Sequence, residues 1–184
     1  AIYYYETGEK EKEENRTNGK IEGLHKTFYK SGKLKIVKNY EKGVEQGEYN
    51  SFYESGTKHI MYNYIDGNIE GDRVSYHETG VVKQTQFFLK NNLEGFVKDY
   101  NEWGKLNFVQ KYENDLRLSE EVFYDSGKTK NIWNYKDGKL NGTSKIFYES
   151  GEVKKVRNYL NGELNGKSFT FFRNGNEAEI DDYK

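Results

Sequence analysis

The chain has 184 residues, 34% hydrophobic, 32% charged and 16% aromatic, with a mean hydropathy of -1.08. Its 29 basic and 30 acidic residues leave a net charge of -1, which gives no general case for nucleic acid or an anionic membrane surface, and the absence of Cys excludes disulfides and thiolate chemistry. No apolar run nears the ~18 residues of a membrane-spanning helix, while 17 Tyr and 11 Phe are too many for a solvated tail, so a folded chain with a thin aromatic core is expected.

In chain order the elements repeat. The first unit holds Tyr4-Tyr5, a turn at Gly8, the charged run "EKEKEENR" and a second turn at Gly19. The next reads "TFYKSGKLKIVKNY", with the pair Phe28-Tyr29 before a turn at Gly32. That pattern returns around Gly56, Gly80, Gly104, Gly127, Gly151 and Gly175, at a spacing of 24 residues that is once 23. An aromatic lies four residues before each turn glycine, and another lies eight after it, from Tyr40 to Tyr183, except at Arg16. A second glycine (Gly43, Gly67) and a third (Gly47, Gly71) follow in most units. Segments rich in β-formers between Gly turns predict a hairpin per unit, and no segment carries a capped helical period.

The expected fold is therefore all-β: an elongated single antiparallel sheet of tandem β-hairpin repeats, about 24 residues each, in seven and a half units, curved or twisted. About fifteen strands are expected. Residues 1–184 read as one repeat domain, with 1–27 an atypical N-terminal cap, 80–126 irregular, and 171–184 a C-terminal half-unit. The Phe-rich ladder of the aromatic pairs is expected to be the better buried, and the third glycine to let a neighbouring ring lie across the strand. Apolar residues five after the turn, such as Val37 and Met61, differ in parity from Tyr40 and Tyr64, so either a bulge or a two-sided core is required. Charged end strands are expected to oppose edge-to-edge aggregation.

The stretches "FYESGEVKKVRNYLNGELNG" and "NYKDGKLNGTSKIFYESG" resemble MORN repeats, closest to the bacterial MORN-variant type, whose proteins are often labelled antitoxin components. The resemblance covers nearly the whole chain. It implies hairpin repeats without catalytic residues and a role in protein–protein contact, sometimes in lipid binding.

No catalytic, metal or cofactor site is expected. His25, His59 and His77 stand at different places in their units and read as surface residues. Recurrent Ser and Glu beside turns read as turn chemistry. The informative stretch is where the pattern fails, between Gly80 and Gly127. Asn91 and Asp115 replace the second glycine, one residue is missing before Phe123, and Trp103 holds a turn position given elsewhere to Ser, Thr or Asn. Phe87 stands where other units have Asn, and Phe108 adds a ring. The expected function is a non-enzymatic scaffold binding a protein partner through Trp103, Phe87 and Phe108 and through the Tyr face of Tyr29, Tyr53, Tyr124 and Tyr148. The bland alternative for Trp103 is an indole folded over its own hairpin. No nucleic-acid partner is expected, lipid contact lacks support from the net charge, and the sequence leaves the oligomeric state open. Export or a cell-surface location is the first expectation, from Ala1 in place of Met and the lack of Cys. A cytoplasmic antitoxin-like protein and a carbohydrate- or lipid-binding module are the alternatives.

Overall fold

A computed structural model describes all of residues 1–184. It has no helix. Eighteen strands pair antiparallel and follow one another as hairpins, the open sheet of tandem hairpin repeats that the turn spacing predicts. The chain forms two compact units, residues 1–92 and 93–184.

The first unit holds β1 (Ile2–Tyr4), β2 (Lys10–Thr17), β3 (Lys20–Phe28), β4 (Leu34–Glu41), β5 (Val44–Phe52), β6 (Lys58–Ile65), β7 (Asn68–Tyr76) and β8 (Val82–Leu89). The second begins in β9 (Asn92–Tyr100) and continues through β10 (Leu106–Glu113), β11 (Leu116–Phe123), β12 (Thr129–Lys136), β13 (Lys139–Leu140), β14 (Gly142–Phe147), β15 (Val153–Leu160), β16 (Glu163–Leu164), β17 (Gly166–Phe171) and β18 (Glu177–Tyr183). The count exceeds the expected fifteen partly because Asn141 and Asn165 interrupt two strands. Their N–H groups donate back to Asn134 O and Asn158 O, each at 2.9 Å.

Two turn types alternate. At the Ser-Gly end, Tyr29 N–H donates to Lys33 O and Gly32 N–H to Tyr29 O, both at 2.8 Å. Gly32 sits at φ 79°, so this is a three-residue loop closed by a left-handed glycine. A bulge follows. Thr27 pairs with Ile36 and Phe28 with Leu34, leaving Lys35 unopposed. At the other end Lys42 (φ 52°) and Gly43 (φ 87°) form a two-residue turn, left-handed at both positions. Asn91 (φ 68°) and Asp115 (φ 63°) keep that conformation where the glycine is missing. Asn and Asp tolerate it, and their side chains add a bond. Asn91 Oδ1 accepts from Ile69 N (2.6 Å) and Asp115 Oδ1 from Leu93 N (2.7 Å).

The third glycine corrects an expectation. A Cβ at Gly23, Gly47 or Gly71 would meet nothing within 4 Å, so no ring lies across the backbone there. Glycine is required because φ is +72° to +83° at these positions, where the strand bulges and pairing skips. The shortened central unit obeys the same logic. Ser119 pairs directly with Lys111 and Arg117 with Tyr112, so the residue lost before Phe123 comes out of this bulge.

The parity question resolves as a two-sided sheet. Val37 faces Lys26 and Tyr40 faces Gly23 in unbroken register, so the Val37–Met61 row and the Tyr40–Tyr64 row lie on opposite faces. One layer cannot enclose much. Val97, 3% exposed, is the single fully buried apolar side chain. Phe28, Phe52, Phe147 and their Tyr neighbours are all half-buried, so neither ladder is enclosed.

Candidate binding surfaces

The Tyr residues of the aromatic pairs are tied into the scaffold. Tyr29 OH donates to Phe52 O (2.7 Å), Tyr53 OH to Tyr76 O (2.8 Å), Tyr124 OH to Phe147 O (2.8 Å) and Tyr148 OH to Phe171 O (2.8 Å). Each phenol thus clamps its hairpin to the next. The rings are also occupied: Lys35 lies over Tyr29 (5.4 Å), Lys130 over Tyr124 (5.6 Å), Lys154 over Tyr148 (5.5 Å), and the His59 ring lies 4.4 Å from that of Tyr53. Burial pushes the Tyr29 and Tyr53 phenols up. Each ring is thus already in contact with a neighbour, a Lys head group or, for Tyr53, the His59 ring.

Trp103 is different. It sits at the tip between β9 and β10 and is 82% exposed, so it does not fold over its hairpin. Its unit lacks the clamping Tyr: Asn101 stands in that place, and Asn101 Oδ1 accepts from Trp103 N and Lys105 N, both at 3.0 Å. Lys105 Nζ donates on to Asp125 O (2.9 Å). The two departures from the repeat are therefore one feature, an indole raised on a turn pinned by its own Asn. Phe108 lies in β10, half-buried opposite Asp99 and Val122. Phe87 belongs to the first unit, exposed in β8 opposite Asp72.

Sequence reasoning missed a polar row on the Tyr40–Tyr64 face of the first unit. Cross-strand partners run Glu14–His25–Lys38–Tyr49–Tyr62. Glu14 is 1% exposed. It receives Arg16 Nε (2.9 Å) and Tyr3 OH (3.2 Å), with Lys12 Nζ at 3.2 Å and His25 Nε2 at 3.5 Å. Burial would raise its pKa, but hydrogen bonds from Arg16, Lys12 and Tyr3 outweigh that and hold it below the usual carboxylate range. Arg16, which breaks the Tyr pattern, thus serves Glu14, and part of the N-terminal charge run is structural rather than solvated. His25 is buried, against the expected surface position, and burial together with the Lys38 charge pushes its pKa down. Further along, Lys38 Nζ meets Glu45 Oε1 (2.5 Å), Tyr62 stacks on Tyr49 at 4.4 Å, and the Tyr62 and Tyr64 hydroxyls meet at 3.1 Å. The available signal was the position two after the third glycine. It holds His25, Tyr49 and Arg73 in turn, while the frame around it stays constant.

In the second unit the corresponding row reads Val97–Gln110–Glu120–Trp133. Glu120 Oε2 accepts from Gln110 Nε2 (2.7 Å) and Arg117 Nη1 (2.6 Å), and the Arg117 guanidinium lies 4.0 Å from the Tyr135 ring centre.

No group of three His, Asp or Glu is arranged to hold a metal ion. In comparisons with known proteins, residues 21–42, 69–90 and 140–161 match the family model described as MORN repeat variant. No curated protein matches the chain.

Proposed function

We propose that this chain, three of whose repeats match the MORN repeat variant, a type that serves as protein- or membrane-interaction module, is a non-enzymatic scaffold that binds a protein partner through the Trp103 tip. The observation that carries this reading is the exposed indole on a hairpin whose turn is fixed from both sides by Asn101. The turn backbone beneath the indole is already pinned, so less backbone entropy is lost when a partner covers the ring. Phe108 is half-buried in β10 of the same hairpin, and Tyr124 and Tyr148, each under a Lys head group, stand at later turns of the same unit.

The test is affinity capture from cell lysate and surface extract with the wild-type chain and with Trp103→Ala, alongside liposome and glycan-array binding. The expected result is one protein captured by wild type and reduced at least tenfold with Trp103→Ala, at an unchanged unfolding midpoint. Equal capture by both chains contradicts the reading. Binding to liposomes or glycans alone transfers the function to a membrane or carbohydrate ligand.

A further inference from the structure

The face of the first unit opposite Glu14 carries a groove of about 550 Å³ between β5, β6 and β7. Met61 and Val74, direct cross-strand partners, form its floor with Tyr76, whose hydroxyl rests on Met61 Sδ at 3.2 Å. Glu48, Glu70 and Asp72 line its margin. No Lys, Arg or His side chain lines it, and none of the three carboxylates takes part in an ion pair, although Glu70 Oε2 accepts from Lys90 N–H (2.8 Å) and Glu48 Oε2 from Asn50 Nδ2 (3.5 Å). The nearest cation in sequence, Arg73, alternates to the other face and donates to Gln86. Asp72 is paired across strands with Phe87, 43% exposed, where other repeats place Asn.

Three carboxylates without a cationic partner around an apolar floor concentrate negative potential. A Lys or Arg side chain answers both parts: the stem covers Met61 and Val74 while the head reaches the carboxylates. An extended segment presents alternate residues to one face, so cations and an apolar residue for Phe87 fit one strand-like stretch. We propose that this groove docks an extended, Lys- or Arg-bearing segment of a protein partner. The proposal rests on the reading of the chain as a protein-binding scaffold and names the chemistry of what it binds.

The probe is a fluorescein-labelled decapeptide of alternating Arg and Val, with a Glu-for-Arg counterpart, titrated against the full chain by fluorescence anisotropy. The Arg peptide is expected to bind, more weakly as salt rises, and the Glu peptide is expected not to bind. The double variant Glu48→Gln/Asp72→Asn is expected to weaken binding at least tenfold. The control Glu177→Gln/Glu179→Gln, which removes the same charge from exposed positions on β18, is expected to leave it unchanged. All four side chains changed are exposed, so unfolding midpoints should stay within the wild-type range. Absent binding of the Arg peptide, or equal weakening by the two double variants, overturns the groove assignment. Trp103→Ala separates the two readings. If it abolishes capture while the peptide fails to bind, the groove falls and the tip stands. If the peptide binds and capture ignores Trp103, the reverse holds.

Discussion

The two units share a frame and differ in what it carries. Both use left-handed glycine loops, bulged strands and a phenol that reaches the next hairpin's carbonyl, as Tyr29 does in the first and Tyr148 in the second. On that frame the first unit builds a row of ionised and phenolic side chains around buried Glu14. The second holds the one fully buried apolar side chain, Val97, followed by Gln110, Glu120 and Trp133. Backbone turns and Tyr clamps thus fix the repeat, and the cross-strand row is free to vary. A one-layer sheet makes this workable, because half-buried side chains keep partial access to water and can be polar at moderate cost.

The sharpest way to break this division is to attack the frame. Gly67→Val places a branched side chain at φ +76°, with its Cβ 3.2 Å from Val44 Cγ1. It should lower stability by about 2–3 kcal/mol in urea unfolding, and a neutral result would show that the turn glycines are dispensable.

Next come the contents. Val97→Ala should cost about 1–2 kcal/mol at every pH, because it removes buried methyl groups. Glu14→Gln should cost a similar ~1–2 kcal/mol near neutrality, discounted because Lys12 and Arg16 keep some hydration, but with a pH signature. The folded carboxyl has a depressed pKa, so its contribution is complete above the unfolded value of ~4.3 and is lost as pH falls through the folded one. The gap between wild type and Glu14→Gln should therefore be full at pH 7 and shrink in acid. His25, pushed down by burial and Lys38, adds an acid loss to both proteins that is larger in Glu14→Gln, where the carboxylate that raises it is gone, so the shrinkage of the gap is read below the carboxylate range rather than across the His25 titration. A gap independent of pH would show that Glu14 matters by shape alone.

Smaller still, Tyr29→Phe and Tyr148→Phe should each cost about 1 kcal/mol, equally in the two units, by leaving a carbonyl without its phenol. Unequal costs would mean that the clamp is not part of the common frame. Asn91→Gly should cost about 0.5 kcal/mol or less, since glycine relieves the left-handed backbone while the bond to Ile69 N is lost.

The frame was legible because it recurs. Turn glycines at near-constant spacing, aromatic pairs and alternating β-formers specify hairpins through local sterics, and seven and a half copies reinforce the pattern. The row contents were not legible by the same means. Glu14 sits in a charge run that reads as solvated, and only pairing with β3 brings His25 against it. The third glycine was found, but its reason was misread, because a positive φ and a close ring approach demand the same residue. Trp103 is an anomaly visible in the sequence, whereas the role of Asn101 shows only in the bonds its side chain makes to the turn.

The central claim is that frame and recognition are separable, and one chain tests it directly. Asn101→Tyr with Trp103→Ser restores the repeat pattern at the deviant tip, returning a clamp position and removing the indole. The account predicts an unfolding midpoint equal to or above wild type together with loss of the captured partner. Retained capture by this restored chain would contradict it and move recognition away from the tip.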